Sequence, residues 1–153
     1  MTNLLIVCMG NICRSPMAQA VFSKQLSDAG LSRQISVDSA GTHANRIGER
    51  PDPRADSALL RRGYSTGRIR SRRFEAEDFQ KFDFILAMDS DNLASLRESC
   101  PAESLAKIKL FLDFDDLPND NDVPDPYYGN AQGFERVLDL CEAGVTGWIK
   151  RLR

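Results

Sequence analysis

The sequence is poor in residues on which several protein classes depend. It has four cysteines, one histidine and one tryptophan among 153 residues. Four cysteines are too few for the disulfide framework of a small secreted domain, which favours a reducing, cytoplasmic setting. In that setting a cysteine serves for packing, as a metal ligand or as a nucleophile. A zinc site is not indicated, because His43 is the only histidine and Cys8 and Cys13 lack the C-x-x-C spacing that a thioredoxin-type dithiol also needs.

The chain also lacks a surplus of either charge and any long apolar run. Lys and Arg number 20 against 22 Asp and Glu, a net charge of −2, which argues against binding of nucleic acid. No apolar stretch approaches the roughly 20 residues that span a bilayer, and Thr2 and Asn3 begin no signal peptide. We therefore expect no membrane insertion. Hydrophobic residues make up 42% of the chain, enough for the core of a single domain over residues 1–153.

Short apolar runs alternate with helical patterns along the chain. Strands are predicted at Leu4–Val7, Ile35–Val37, Phe84–Met88 and Ile108–Phe111. The first helix is predicted to begin at Ser15-Pro16, where the serine can cap it, and to end at Gly30. Further helices are predicted over about 54–62, 76–81 and 90–98. A final amphipathic helix carries Phe134, Val137, Leu138, Cys141, Val145, Trp148 and Ile149, and loops cover 40–53 and 113–128.

This alternation predicts an α/β fold, a parallel sheet with helices on both faces and right-handed crossovers. Ligands in such folds bind at the carboxyl ends of the strands. The loops that follow the four strands are therefore expected on one side of the molecule.

The loop after the first strand combines a phosphate cradle with a nucleophile. It reads CMGNICRS, from Cys8 to Ser15, and leads directly into a helix. Backbone N–H groups in such a turn can surround an anion, and Gly10 and Asn11 tolerate the positive φ that the turn needs. Arg14 can donate two hydrogen bonds to one phosphate. The loop and Ser15 would stabilise Cys8 as a thiolate, which predicts in-line attack on phosphorus and a phosphocysteine intermediate.

A Cys-x5-Arg-Ser pattern alone is weakly specific. A small buried residue at the end of a strand is the alternative interpretation of Cys8. The position between a strand and a helix favours the nucleophile.

A general acid is expected near the strand ends, and one acidic loop offers it. Six aspartates lie there: Asp113, Asp115, Asp116, Asp120, Asp122 and Asp125. The spacing does not fit a calcium-binding loop, and most of them are expected to be solvated turn residues. Asp125 differs because it lies between Pro124 and Pro126, which stiffen the backbone. Tyr127 and Tyr128, which follow, could wall a pocket for an aromatic ring or pack the loop onto the last helix.

Together the two motifs resemble the low-molecular-weight protein tyrosine phosphatases. The resemblance rests on residues 8–16 (CMGNICRSP) and 125–128 (DPYY), with further support from residues 38–42, 51–55 and 88–92. It covers essentially the whole chain. It implies a three-layer, flavodoxin-like fold with a four-stranded parallel sheet in the order 2-1-3-4, and hydrolysis of protein phosphotyrosine and small aryl phosphates without metal or cofactor.

The resemblance also implies a role for each site residue. Cys8 is the nucleophile, Arg14 holds the phosphate, and Asp125 is first the acid and then the base that activates water. Asn11 and Ser39 support the loop, Ser15 stabilises the thiolate, and Met9 and Ile12 line the mouth beside Tyr127 and Tyr128. Cys13 is expected to form a reversible disulfide with Cys8 that protects the nucleophile, although it could simply pack. Asn45 stands where some members have an aromatic residue, so the rim is expected to be more polar.

Residues 39–42 (SAGT) resemble bacterial members of the family. For those the resemblance points to an autophosphorylating tyrosine kinase of polysaccharide export as the partner. A monomer is expected.

Several alternatives remain open. An arsenate reductase needs neighbouring cysteines, but Cys100 and Cys141 are far apart and read as filler. A phosphoarginine phosphatase is associated with a smaller polar residue at the position of Ile12. A receiver module could use Asp89 as its acceptor but lacks an acidic pair near Cys8. A module that binds phosphate without catalysis would need Cys8 or Asp125 to be misplaced, and the absence of Gly-Lys-Ser/Thr excludes a Walker-type loop.

Six arginines form a basic stretch: Arg61, Arg62, Arg68, Arg70, Arg72 and Arg73. A solvated face is the simpler interpretation. The sharper hypothesis is a docking strip for an acidic partner. His43 is expected to be a surface loop residue.

Overall fold

A computed structural model describes residues 1–113 and 121–153. Within these residues, four strands form one sheet in the order β2-β1-β3-β4: Thr2–Cys8 (β1), Ile35–Gly41 (β2), Phe84–Ala87 (β3) and Ile108–Leu110 (β4). Every pairing is parallel. The predicted order and sheet are therefore confirmed.

In the described part of the chain, five α-helices connect and flank these strands. They are Arg14–Asp28 (α1), Pro53–Arg61 (α2), Asp78–Lys81 (α3), Ser90–Ser99 (α4) and Ala131–Leu152 (α5). A 3₁₀ helix, Ala102–Lys107, precedes β4. This 3₁₀ helix was not predicted, and β2 is longer than the predicted Ile35–Val37. The strand continues because the small residues of its second half pair with β1, ending with Gly41 opposite Cys8.

The sheet is buried on both faces. Leu4, Ile6 and Leu86 point to a core shared with α1, α2 and α5. Leu5, Val7 and Ile85 point to the other face, where α3 and α4 contribute Phe79 and Leu96. This alternation within continuous apolar runs produces the three-layer arrangement.

Gly41, at the end of β2, is tightly packed. Gly41 lies so close to the loop after β1 that a Cβ there would be 2.6 Å from the Met9 carbonyl oxygen. Glycine is needed at this position because the backbones approach each other.

Within the residues that the structure describes, no helix is long and apolar enough to cross a membrane.

Candidate active site

Cys8 is the last residue of β1 and lies almost fully buried at the base of the following loop. The Asn11 amide N–H donates a hydrogen bond to its sulfur at 3.3 Å. The Ser15 Oγ lies 3.0 Å from the same sulfur. Ser15 also accepts a hydrogen bond from Asn11 Nδ2 at 2.7 Å and can still donate its own hydrogen to the sulfur. Both contacts therefore suit a thiolate, which can only accept.

Asn11 shapes the loop, and it is the one non-glycine residue with positive φ among those described, at 56°. Its Nδ2 donates to Ser15 and, at 3.0 Å, to the Ser39 Oγ. Its Oδ1 accepts from the Arg72 amide at 2.9 Å. Ser39 passes the network on by donating to Gln19 Oε1 at 2.6 Å. Gly10, the other loop residue that tolerates a positive φ, does not adopt one.

The prediction that Ser15 caps the start of α1 is wrong. The helix begins at Arg14, so Cys13 is the N-cap residue, and no side chain caps it. Ser15 lies inside the first turn and is turned towards Cys8 instead. The same hydroxyl cannot cap the helix and hold the sulfur, and the tertiary contact prevails.

Arg14 is 97% buried and is held by groups that are distant from it in the sequence. Its Nη1 donates to Asp89 Oδ2 at 2.5 Å and to the Val123 carbonyl oxygen at 3.0 Å. Burial alone would lower the pKa of the guanidinium, but Cys8 and Asp89 raise it above its ordinary value. Asp89 in turn caps α4 by accepting from the Asn92 amide. Arg14 is thus a fixed cation beside the thiol.

Asp125 lines the same cavity, next to Arg14. Its Oδ2 lies 3.8 Å from Arg14 Nη2, and its Oδ1 accepts from the Tyr127 amide at 3.1 Å. The carboxyl remains partly open to solvent. This position fits proton exchange with a group bound above Cys8.

The cavity between these groups has a volume of about 210 Å³. Its lining unites the predicted site residues Cys8, Met9, Gly10, Ile12, Cys13, Arg14, Asn45, Asp125, Tyr127 and Tyr128 with His43 and Arg46. Asn11, Ser15 and Ser39 lie behind the loop and brace it. His43 is exposed, as expected, and its ring contacts the Thr42 hydroxyl.

The two tyrosines at the rim differ in their surroundings. Tyr127 is half-buried, its hydroxyl accepts from Arg46 at 2.8 Å, and the Arg54 guanidinium lies over its ring and over Phe134 of α5. Tyr127 therefore both lines the cavity and packs towards the last helix. Tyr128 is 95% exposed and stands edge-on to Tyr127.

Other cysteines and aspartates have surroundings that differ from those of Cys8 and Asp125. Burial, followed by the nearby Asp52 and Cys8, raises the pKa of the Cys13 thiol to about 12. Cys141 is buried in α5, as expected for a packing residue. Asp122 accepts hydrogen bonds from Ser90, and Asp113 is exposed. Asp115, Asp116 and Asp120 lie outside the described residues.

The structure adds residues to which the sequence analysis gave no part in the site. Asp89 was considered only for a receiver module, yet it holds Arg14; its position directly after β3 is the signal that could have found it. Arg46 and Arg72 had no such signal. The hypothesis of a docking strip is weakened because Arg61 and Arg62 pair with acidic residues of α5, and Arg72 pairs with Asp38 and Asp78.

Comparison with known proteins agrees with this geometry. The profile of the family described as low molecular weight phosphotyrosine protein phosphatase matches residues 3–153. A low molecular weight protein-tyrosine-phosphatase of Streptomyces coelicolor is 43% identical over 150 residues, covering 96% of this chain and 91% of that protein. The human low molecular weight phosphotyrosine protein phosphatase is also 43% identical over 150 residues, with 97% and 94% covered.

A solved structure gives the same result. The protein tyrosine phosphatase of Entamoeba histolytica, with Hepes in the active site, superposes with a TM-score of 0.95 at 40% identity and covers 99% of this chain and 97% of that one. The chain belongs to the low molecular weight phosphotyrosine protein phosphatase family, whose members are hydrolases that act on phosphotyrosine through a cysteine nucleophile.

Proposed function

We propose that the chain hydrolyses protein phosphotyrosine in two steps, with Cys8, Arg14 and Asp125 as its catalytic residues. In the first step the Cys8 sulfur attacks phosphorus in line, the bond from phosphorus to the tyrosine oxygen breaks, and Asp125 gives that oxygen a proton. In the second step Asp125 takes a proton from water as the water attacks the phosphocysteine. Inorganic phosphate leaves and the Cys8 thiolate is restored.

One observation carries this proposal. A sulfur that accepts from Asn11 and contacts Ser15 lies at the base of a cavity that also holds a buried arginine and a carboxyl. Arg14 and the amides of residues 9–13 would bind the equatorial phosphate oxygens most strongly in the transition state. The Entamoeba relative holds Hepes in its active site, and Hepes ends in a sulfonate, a tetrahedral oxyanion of similar shape.

The rim supports an aryl substrate. Met9 and Tyr128 are exposed at the mouth, and Tyr127 forms a half-buried wall. A phosphotyrosine ring is long enough to bring its phosphate to Cys8 while its faces contact these side chains. Asn45 makes this rim more polar than an aromatic residue would.

The setting of the protein is proposed on chemical grounds. Cys8 and Cys13 are free thiols, and catalysis needs Cys8 reduced, which favours the cytoplasm. Reversible pairing of Cys8 with Cys13, both on the cavity wall, would protect the nucleophile. We propose a monomer of one domain that binds no nucleic acid. As its partner we propose an autophosphorylating tyrosine kinase, which rests on the resemblance of residues 39–42 to bacterial members.

The first test removes the nucleophile and the general acid in turn. Cys8→Ser is expected to abolish hydrolysis of 4-nitrophenyl phosphate, because serine is not ionised at neutral pH, while binding of the phosphate analogue vanadate is weakened but measurable. Asp125→Asn should slow phosphoenzyme formation by about 10²–10⁴-fold. The slowing should be smaller for aryl phosphates whose leaving group needs no proton. Full activity of Cys8→Ser would end the proposal.

The second test addresses the substrate class. Peptides that carry phosphotyrosine, phosphoserine or phosphoarginine in the same sequence are compared by kcat/KM. We expect phosphotyrosine to be preferred, because a phosphoserine cannot reach Cys8 and contact the rim at once. Preference for phosphoarginine would contradict the proposal and favour the alternative that Ile12 argues against.

A further inference from the structure

A second groove leads away from the catalytic cavity. It has a volume of about 390 Å³ and is lined by Ile12, Arg46, Gly48, Glu49, Arg50, Pro51, Asp52 and Pro53. Ile12 and Arg46 also line the catalytic cavity, so the groove and the cavity are direct neighbours. A peptide whose phosphotyrosine enters the cavity has room along this groove, called here the 46–53 groove, for the residues next to it.

The buried carboxylate of the 46–53 groove, Asp52, is neutralised by Arg54, which lies outside the groove lining. Asp52 is buried and accepts from the Arg54 amide, Nε and Nη2 at 2.8–3.0 Å. This contact with Arg54 holds the pKa of Asp52 below its ordinary value, so the pair stays ionised. Asp52 also begins α2 and donates its amide to the Ile12 carbonyl oxygen. It is committed to the fold and offers nothing to a ligand.

The positive charges of Arg46 and Arg50 are not neutralised by a carboxylate of the described residues. Both are exposed, and among the residues that the structure describes neither has a carboxylate within 4.0 Å. The guanidinium of Arg46 donates to the Tyr127 hydroxyl, which is a neutral acceptor. The exposed Glu49 is the opposing charge in the groove. The arginines thus outnumber the free carboxylate.

We infer that the 46–53 groove binds an acidic side chain of the substrate protein close to its phosphotyrosine, with Arg46 and Arg50 as specificity-determining residues. The inference rests on the proposed function and names the class of sequence on which it acts. Charge complementarity and the position of the groove directly beside the catalytic cavity support it. The expected occupant is an extended phosphotyrosine segment with Asp or Glu within about three residues of the phosphotyrosine, a span of roughly 10 Å.

The test uses three phosphotyrosine peptides that differ only in the flanking residues: Asp and Glu, Asn and Gln, or Lys. Each kcat/KM is divided by the same enzyme's kcat/KM for 4-nitrophenyl phosphate, so that a general change in catalysis cancels. The natural chain is expected to prefer the acidic peptide over the neutral one by about three- to tenfold, and the neutral one over the basic one. The preference should shrink as salt rises, because exposed charges are screened.

Variants assign the preference to the groove. Arg46→Gln and Arg50→Gln should each lower the ratio of acidic to neutral peptide by about two- to fivefold, the range of an exposed ion pair. Glu49→Gln should raise it, because it removes the opposing charge. The matched control is Arg68→Gln, an exposed arginine that lines a different groove; it should leave the ratio unchanged.

The outcomes separate this inference from the proposed function. Equal rates on the acidic and neutral peptides, or a ratio that survives in the double variant R46Q/R50Q, overturn the inference while phosphatase activity stands. A preference for the basic peptide overturns it as well. Failure of the natural chain to hydrolyse 4-nitrophenyl phosphate and all three peptides overturns the proposed function itself.

Discussion

At the scale of single residues, Asn11 joins the loop to the body of the protein. Its backbone adopts a left-handed conformation that costs other residues roughly 1–2 kcal/mol. Its side chain offsets this cost with two buried hydrogen bonds, to Ser15 and Ser39, and a partly buried one from the Arg72 amide. The position of Ser15 against the Cys8 sulfur therefore depends on an amide side chain that never enters the cavity.

Replacing Asn11 by Ala should lower kcat for 4-nitrophenyl phosphate by about 10- to 100-fold, because the loop loses its alignment. Unfolding should also become easier by about 1–3 kcal/mol, since buried partners are left unsatisfied. Steady-state kinetics and urea denaturation measure the two effects.

Asn11→Gly is the matched control for the backbone. It accepts the positive φ without strain but restores none of the hydrogen bonds, so kcat should remain low while stability recovers in part. A kcat in Asn11→Ala within twofold of the natural chain would show that the network does not position the loop.

At the scale of elements, the packing of α5 on the sheet depends on one glycine. A Cβ at Gly144 would lie 2.3 Å from Phe111 Cε2, in the core beneath the helix. The adjacent turn of α5 places Trp148 so that its Nε1 donates to the Phe111 carbonyl oxygen at 2.7 Å. Gly144 thus lets the helix approach the segment that follows β4.

Gly144→Ala should destabilise the protein by about 1–3 kcal/mol through overpacking, despite the better helix propensity of alanine. Gly133→Ala in the same helix is the control, because its Cβ would meet only Pro126 at 3.7 Å. That variant should be neutral or more stable by up to about 1 kcal/mol. Chemical denaturation of both checks the pair; equal effects would contradict the close approach at Gly144.

The start of α1 illustrates a competition within one element. Its N-cap residue, Cys13, makes no side-chain hydrogen bond to the helix, and a missing cap costs about 0.5–2 kcal/mol. The two nearby residues best suited to cap, Asn11 and Ser15, are engaged around Cys8. Helix stability is given up here for the geometry of the loop.

At the scale of the whole molecule, buried cysteine and tyrosine side chains should make the protein less stable at alkaline pH. Burial raises the pKa of Cys13 to about 12, and burial together with a hydrogen bond to Glu142 raises that of Tyr64 to about 12. Burial also raises the pKa of Cys141. These groups stay protonated when folded but ionise when unfolded above about pH 9 for cysteine and 10 for tyrosine.

The unfolded chain therefore binds fewer protons above pH 9, and the free energy of unfolding should fall as pH rises from 9 towards 12. Each fully buried group contributes up to about 1.4 kcal/mol per pH unit. Urea denaturation at pH 7, 9, 10 and 11 should show a flat region followed by a decline, and Cys13→Ala should decline less steeply. Stability that stays constant to pH 11 would contradict the assignment.

The site itself is assembled at the scale of the whole chain. Arg14 follows β1, Asp89 follows β3, and Val123 and Asp125 belong to the segment before α5. All of them meet because parallel strands bring their carboxyl ends to one edge of the sheet. A substitution in any of these loops can therefore change the surroundings of the Arg14 guanidinium.

The sequence alone determined the fold class, the loop around Cys8 and the resemblance to the family, because these depend on local patterns of apolar runs, turn residues and closely spaced motifs. Only the tertiary structure decided that Ser15 serves the sulfur and not the helix, that Asp89 holds Arg14, and that Arg72 belongs to the support of the loop. It also showed that, among the described residues, Arg46 and Arg50 have no carboxylate within 4.0 Å, whereas Arg61, Arg62 and Arg72 are paired with carboxylates. The physical reason is that a side chain's partner is chosen by distance in space, and contacts between residues far apart in sequence leave no periodic signal along the chain.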